Sequence, residues 1–279
     1  MTTSGLLLRI RSQPLAFVGG CVVGIFLIVA SLAPFLALYD PLEQDLYSRL
    51  MPPSFNHPFG TDDFGRDIFS RVIYGARISL RIGLISVSIS LVVGTLIGLW
   101  AGYGGRWSEA ILMRIVDLLL SFPSILLAIA IVAVVGPGID NAILAVSFVL
   151  IPQFARLVRS AVLSVRELAY VEAARALGQG KSQILFRTIL PNCYTPIIVQ
   201  STLSMGTAIL DAAGLSFLGL GAQPPSPEWG AMLSGGRGLL LEAPWVMTFP
   251  GIAIFFLVLS INLFGDGLRD ALDPKLGKK

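Results

Sequence analysis

Five stretches without a single Asp, Glu, Lys or Arg constrain this chain more than anything else in it: residues 12–39, 82–105, 118–139, 188–210 and 243–265. Each exceeds the roughly 20 residues an α-helix needs to cross the hydrocarbon core of a bilayer. A sixth run, 141–155, is shorter. It spans if Arg156 and Arg159 sit at the water interface and extend their side chains toward the headgroups. Only 13% of the 279 residues are charged, about half the usual fraction, so a soluble domain is a poor fit. The expectation is an all-α polytopic membrane protein with six transmembrane helices.

The first run follows Arg9 and Arg11 and needs comparison with a secretory signal. It is nearly twice the length of a signal's apolar region, and Pro34 adjoins its only small-residue stretch, 30–33. A retained anchor is predicted. Basic residues then set the orientation. With the N-terminus inside, 14 of the 20 Lys and Arg fall on inner segments and 6 on outer ones, at Arg49, Arg66, Arg71, Arg77, Arg81 and Arg237. That asymmetry predicts both termini in the cytoplasm. The net charge of +3 is then a consequence of topology and not a nucleic-acid footprint. Cys21 and Cys193 lie far apart without metal or redox spacing. With His57 as the sole histidine, His-based zinc sites and catalytic triads are excluded.

The predicted organisation is an inner tail, 1–14, a single membrane domain, 15–265, and an inner tail, 266–279. Outer loops occupy 40–77 and 221–245, and a long inner segment occupies 156–192. In the second span Gly94, Gly98 and Gly102 recur every four residues, the pattern by which membrane helices approach closely.

Within the inner segment, 170–192 reads YVEAARALGQGKSQILFRTILPN. Ala169, Ala173, Ala174 and Leu177 form a small apolar face at helical spacing. Gly178 stands where a left-handed cap would end the helix. Ser182 can cap a second short helix running through Leu190 and stopped by Pro191. The expectation is a cytoplasmic helix–turn–helix elbow suited to docking. Gly180, Lys181 and Ser182 imitate the end of a phosphate-binding loop, but that motif's first glycine would be position 175, an arginine, and no strand precedes it. Nucleotide binding by this chain is not expected.

The elbow resembles the EAA loop of ABC-importer permeases: E-A-A, three residues, G, nine residues, I-x-L-P. Glu172, Ala173, Ala174, Gly178, Leu190 and Pro191 match, and Thr188 stands where Ile is usual. Residues 60–80, 212–233 and 262–276 resemble the C-type subunits of dipeptide, oligopeptide, nickel and glutathione importers, most of all the dipeptide members. The short N-terminal tail departs from many relatives. The resemblance implies that the elbow sits in a groove of an ATPase subunit and transmits its closure. Glu172 would be the polar contact, the alanines the close-packed face and Gly178 the turn. It further implies a homologous permease subunit, two cytoplasmic ATPases that carry ATP and Mg, and an external solute-binding protein. This chain would bind no cofactor and would be no enzyme.

Asp211 lies about 15 residues into the fifth span, in the outer half of the core. A carboxylate there costs roughly 2.5–3.5 kcal/mol on insertion scales. It is therefore expected either to meet the ammonium of a peptide or to bond a neighbouring helix. Asp117 is expected to pair with Arg114, three residues before it. Asp62, Asp63, Arg66 and Asp67 either dock the binding protein or satisfy one another in a tight turn between Gly60 and Gly65. Trp229 and Trp245 are expected as interfacial anchors. A secondary transporter would show an inverted repeat, and an intramembrane enzyme a nucleophile–base pair or metal cluster; neither is found in the sequence.

Overall fold

Helices take the apolar runs, and glycine and proline set where they end. The computed structural model describes residues 13–272. Five helices are long and apolar enough to cross a membrane: α1 (Pro14–Ser31), α2 (Ile68–Tyr103), α5 (Ile139–Val165), α7 (Tyr194–Phe217) and α9 (Trp245–Leu272). Between α2 and α5 lie α3 (Arg106–Leu120) and α4 (Ser124–Val135), bent 94° from one another. Together they form the remaining span. At 1.5 Å per residue they measure about 22 and 18 Å, so neither crosses a core of about 30 Å alone. Proline explains the break: Pro123 brings no N–H and drives Phe122 out of the helical region. The single helix expected over 118–139 is thus two, and α3 begins twelve residues earlier, after Gly105 at φ +104°.

The glycine stripe works as a helix interface. A Cβ on Gly94 would lie 2.5 Å from the Phe154 side chain, one on Gly98 2.6 Å from the Ala155 carbonyl oxygen, and one on Gly102 2.6 Å from Val162. All three neighbours belong to α5, so glycine sets the approach of α2 and α5. The fourth span extends beyond its apolar run, through Val165. Arg156 and Arg159 also make ion pairs within the chain. They cross to α3, where Arg156 Nη2 lies 2.6 Å from Asp117 Oδ1 and Arg159 Nε 3.0 Å from Glu109 Oε1. The predicted Arg114–Asp117 pair is accordingly replaced. A cation N-terminal to an acid is the weaker intrahelical order, and the packing of α5 on α3 supplies a different arginine.

Two large apolar clusters hold the spans. Ile68, Ala76 and Leu80 of α2, Ile209 and Ala213 of α7 and Ile254, Leu257 and Ile261 of α9 pack into one. Val132 of α4, Val146, Leu150 and Phe154 of α5 and Ala208 and Leu215 of α7 pack into another.

The outer loop after α7 folds inward as α8 (Trp229–Gly236). Trp229 is no interfacial anchor: it is fully buried, donates from Nε1 to the Val72 carbonyl at 3.0 Å and meets Phe26 edge-on. Gly75 leaves it room, since a Cβ there would lie 2.3 Å from the indole nitrogen. Trp245 likewise spends its N–H inside the protein, on the Thr61 carbonyl at 3.2 Å.

Candidate functional site: the elbow after α5 and the carboxylate of α7

The elbow begins three residues after α5 ends. Its first limb, α6 (Ala169–Ala176), is short. The chain leaves it through Gly178 at φ +76°, where a side chain other than glycine is strained. The Gly178 N–H donates to the Arg175 carbonyl at 2.9 Å and the Gln179 N–H to the Ala174 carbonyl at 3.2 Å. This pair of bonds is the Schellman arrangement, so the predicted cap is present.

The predicted apolar face divides. Ala174 turns inward with Val171, into a cluster with Val158, Val162, Ile184, Ile189 and Cys193. Ala169, Ala173 and Leu177 face out, Leu177 at 81% exposure. Glu172 is also exposed, and its carboxylate has no partner among the described residues. The outward surface of α6 is therefore a small-residue face with one free acid and one free leucine.

The second limb departs from expectation. Gly180, not Ser182, occupies its N-cap, and no side chain caps it. After one short turn the chain widens to π-type over Ile184–Ile189 and tightens to a 3-10 turn over Leu190–Asn192 before α7. Pro191 lacks an N–H and crowds the carbonyl four residues back, so a regular α-helix cannot run through to α7. Leu190 and Pro191 therefore form the bend by which the elbow enters α7.

Asp211 sits about 25 Å along α7 from its inner end at the helical rise, with two turns remaining to Phe217. It is partly exposed, and its carboxylate has no partner among the described residues. A bond to a neighbouring helix of this chain, one of its two predicted roles, is absent. Gln200, Thr207 and Leu218 follow the line of Asp211 to within about 40°, at 100° per residue, and none of the three is buried. At the inner end of this line Gln200 joins Thr195, Leu203 and Arg269 around a cavity of about 440 Å³.

The outer charges are internally satisfied. Asp62 accepts from Arg66 Nε at 2.7 Å and from the N–H groups of Phe64 and Arg66. Asp67 accepts from the N–H and hydroxyl of Ser70, capping α2, and lies 2.9 Å from His57 Nδ1. Gly60 and Gly65, both at positive φ, make the turn. Of the four charges only Asp63 retains substantial exposure, at 38% of its side chain.

One functional-looking residue escaped the sequence reading. Glu228 is almost fully buried and has no cation beside it. It accepts the Ala231 N–H at 2.9 Å, capping α8. Burial pushes its carboxyl above the ordinary glutamate range, opposed by hydrogen bonds from Gly230, Ala231 and Ser216. Its place before an apolar octapeptide is an N-cap pattern, but only the inward fold of the loop makes it buried.

Comparison with known proteins accords with this geometry. Residues 94–278 match the model of the binding-protein-dependent transport system inner membrane component, and residues 5–53 that of the N-terminal transmembrane domain of oligopeptide transport permease C. A dipeptide transport system permease protein from Alkalihalophilus pseudofirmus is 53% identical over 96% of this chain and 88% of its own length. A di/tripeptide counterpart from Pseudomonas aeruginosa is 49% identical over 92% of this chain and 88% of its own. A glutathione transport system permease protein from Pectobacterium atrosepticum is 49% identical over 96% and 89%. The fold is shared with an inward-facing MetNI methionine ABC transporter, at a TM-score of 0.59 and 22% identity over 73% of this chain and 97% of that one. The six-span architecture, the capped elbow and these matches together establish that the chain belongs to the family of inner membrane components of binding-protein-dependent transport systems.

Proposed function

We propose that this chain is the permease subunit of an ATP-driven importer of di- or oligopeptides, lying in the inner membrane with both termini cytoplasmic. It forms the translocation path with a homologous permease, receives peptide from an external binding protein and is driven by two cytoplasmic ATPases, which hold the ATP and Mg. The observation that carries the reading is the outward face of α6. A buried Val171–Ala174 edge and the Gly178 turn fix the helix, while the side chains of Glu172, Ala173 and Leu177 are exposed among the described residues. Such a face fits a groove in another protein, and Leu190 and Pro191 continue it into α7. Closure of the ATPases on ATP then favours one arrangement of the helices over another through a difference in contact energy.

The peptide assignment is supported by relatives whose names specify dipeptides and di/tripeptides. It is also supported by Asp211, a solitary carboxylate suited to a peptide's α-ammonium. A glutathione importer is the second reading, favoured by the relative of that name; glutathione also carries an ammonium.

The elbow tests the function. In proteoliposomes holding the whole complex, Gly178→Val places a β-branched side chain at positive φ and should abolish most transport while the subunit still inserts. Glu172→Ala should weaken ATPase association or its stimulation by loaded binding protein. Wild-type transport by both variants would remove the elbow from the mechanism.

A further inference from the structure

We infer that two ion pairs, Glu109–Arg159 and Asp117–Arg156, make α3 a lever that carries movement of the elbow to the Asp211 region of α7, with residues 121–124 as its hinge. The inference rests on the proposed docking of the elbow to an ATPase, and it concerns residues outside both the elbow and the peptide path.

The route begins where α5 enters the elbow. Val171 and Ala174 of α6 share a buried cluster with Val158 and Val162 of α5, and Arg166 donates to the Gly102 carbonyl at 2.9 Å. A displaced elbow must therefore displace the inner half of α5. Arg156 and Arg159 stand on that half, one turn apart. They hold α3 at two points, Asp117 and Glu109, which lie eight residues or about 12 Å apart along the helix. Arg159 engages Glu109 Oε1 through both Nε and Nη2, a charge-assisted contact with two donors on one oxygen. Two anchors fix the orientation of α3 as well as its position, so α3 turns when α5 turns.

At its other end α3 is not continuous with α4. Ser121 ends it and Pro123 opens α4, across a bend of 94°. The first turn of α4 reaches α7, where a Cβ on Gly214 would stand 3.7 Å from Ile125 Cδ1. Gly214 is three residues from Asp211 and shares its side of the helix. The rest of α4 is held in the core by Ala128 and Val132. One end of the broken span is thus tied to the elbow-bearing helix, the other lies against the candidate peptide contact, and a proline joint separates them. A hinge between packed segments is a recognised means of amplifying small shifts. Glu109 and Arg159 are accordingly positioning residues for transport.

The experiment is a charge exchange in the complete complex, reconstituted in proteoliposomes with both ATPases, the partner permease and the binding protein. Peptide carried per ATP hydrolysed is the first readout. The second is the distance between spin labels at Ile115 of α3 and Leu218, the residue after α7, compared with and without trapped nucleotide. In Glu109→Arg the transport ratio should fall about fivefold, the equilibrium equivalent of one half-exposed ion pair, and the nucleotide-dependent change in distance should disappear. Glu109→Arg combined with Arg159→Glu should restore both to within about twofold of wild type, by the additivity argument for paired residues. If Glu109→Arg does not assemble, Glu109→Gln serves for the same two readouts. An unchanged distance response in the single variant, or a failure of the exchange to restore coupling, overturns the lever. Loss of transport in Gly178→Val with normal coupling in Glu109→Arg would overturn the lever alone and leave the elbow reading intact.

Discussion

Gly98→Ala adds one methyl group where α2 and α5 are closest. The new Cβ would stand 2.6 Å from the Ala155 carbonyl oxygen and 2.7 Å from Val158 Cβ. An ordinary contact is about 3.5 Å, so the helices must separate locally by roughly 0.9 Å. The Ala155 carbonyl belongs to the backbone of α5 and cannot rotate away, unlike a flexible side chain. Overpacking of this kind costs about 1–3 kcal/mol. At about 2–4 °C per kcal/mol for a protein of this size, the expected loss of thermal midpoint is about 2–12 °C. Gly24→Ala in α1 is the matched control, because its Cβ would meet nothing within 4 Å. There the gain in helix propensity, about 0.8–1 kcal/mol, should leave the midpoint unchanged or raise it. Thermal unfolding of the purified complex in detergent, followed by tryptophan fluorescence, measures both. Equal midpoints for the two variants would show that close approach at Gly98 contributes nothing, and the interface argument for the whole stripe would fail with it.

The remaining expectations are shorter. Asp211→Asn keeps shape and hydrogen-bonding capacity but removes the charge, so transport of ordinary dipeptides should fall more than that of N-acetylated ones, each relative to wild type; equal small losses would end the ammonium role. The carboxyl of Glu228 titrates above its unfolded value of about 4.3 because it is buried. Its contribution to stability is therefore complete below that value and lost as pH rises through the raised pKa. Glu228→Gln should retain the cap on α8 and flatten the fall of thermal midpoint as pH rises above about 4.3; an unaltered slope would dissociate the pH response from this residue. Cysteine at Phe55, a fully exposed outer-loop position at 99%, should react with an impermeant thiol reagent in intact cells, whereas cysteine at Gln179 should not. The reverse labelling would invert the proposed topology.

Features that depend on neighbours along the chain were legible in the residues. Apolar run length placed the spans, because crossing a bilayer requires a fixed helical rise. The elbow's cap was legible because Gly178 directly follows the last apolar residue of the first limb and glycine tolerates positive φ. The glycine spacing of the second span implied a close approach, although nothing in it named α5 as the partner. Features set by which helices meet were not legible. Arg156 pairs with Asp117, 39 residues away, since only the crossing of α3 and α5 brings the two charges together. Trp229 looked like an interfacial anchor until the inward fold of α8 placed it against Gly75 and Val72. Ala174 and Ala173 are adjacent and identical in chemistry, yet one is core and the other surface, because Ala174 lies with Val171 on the face of α6 that joins the cluster of Ile184 and Ile189. A single sequence encodes run lengths and backbone preferences directly, through the chemistry of each residue. The partner of a charge and the inward face of a short helix follow from the packing of distant segments, and only the tertiary structure decides them.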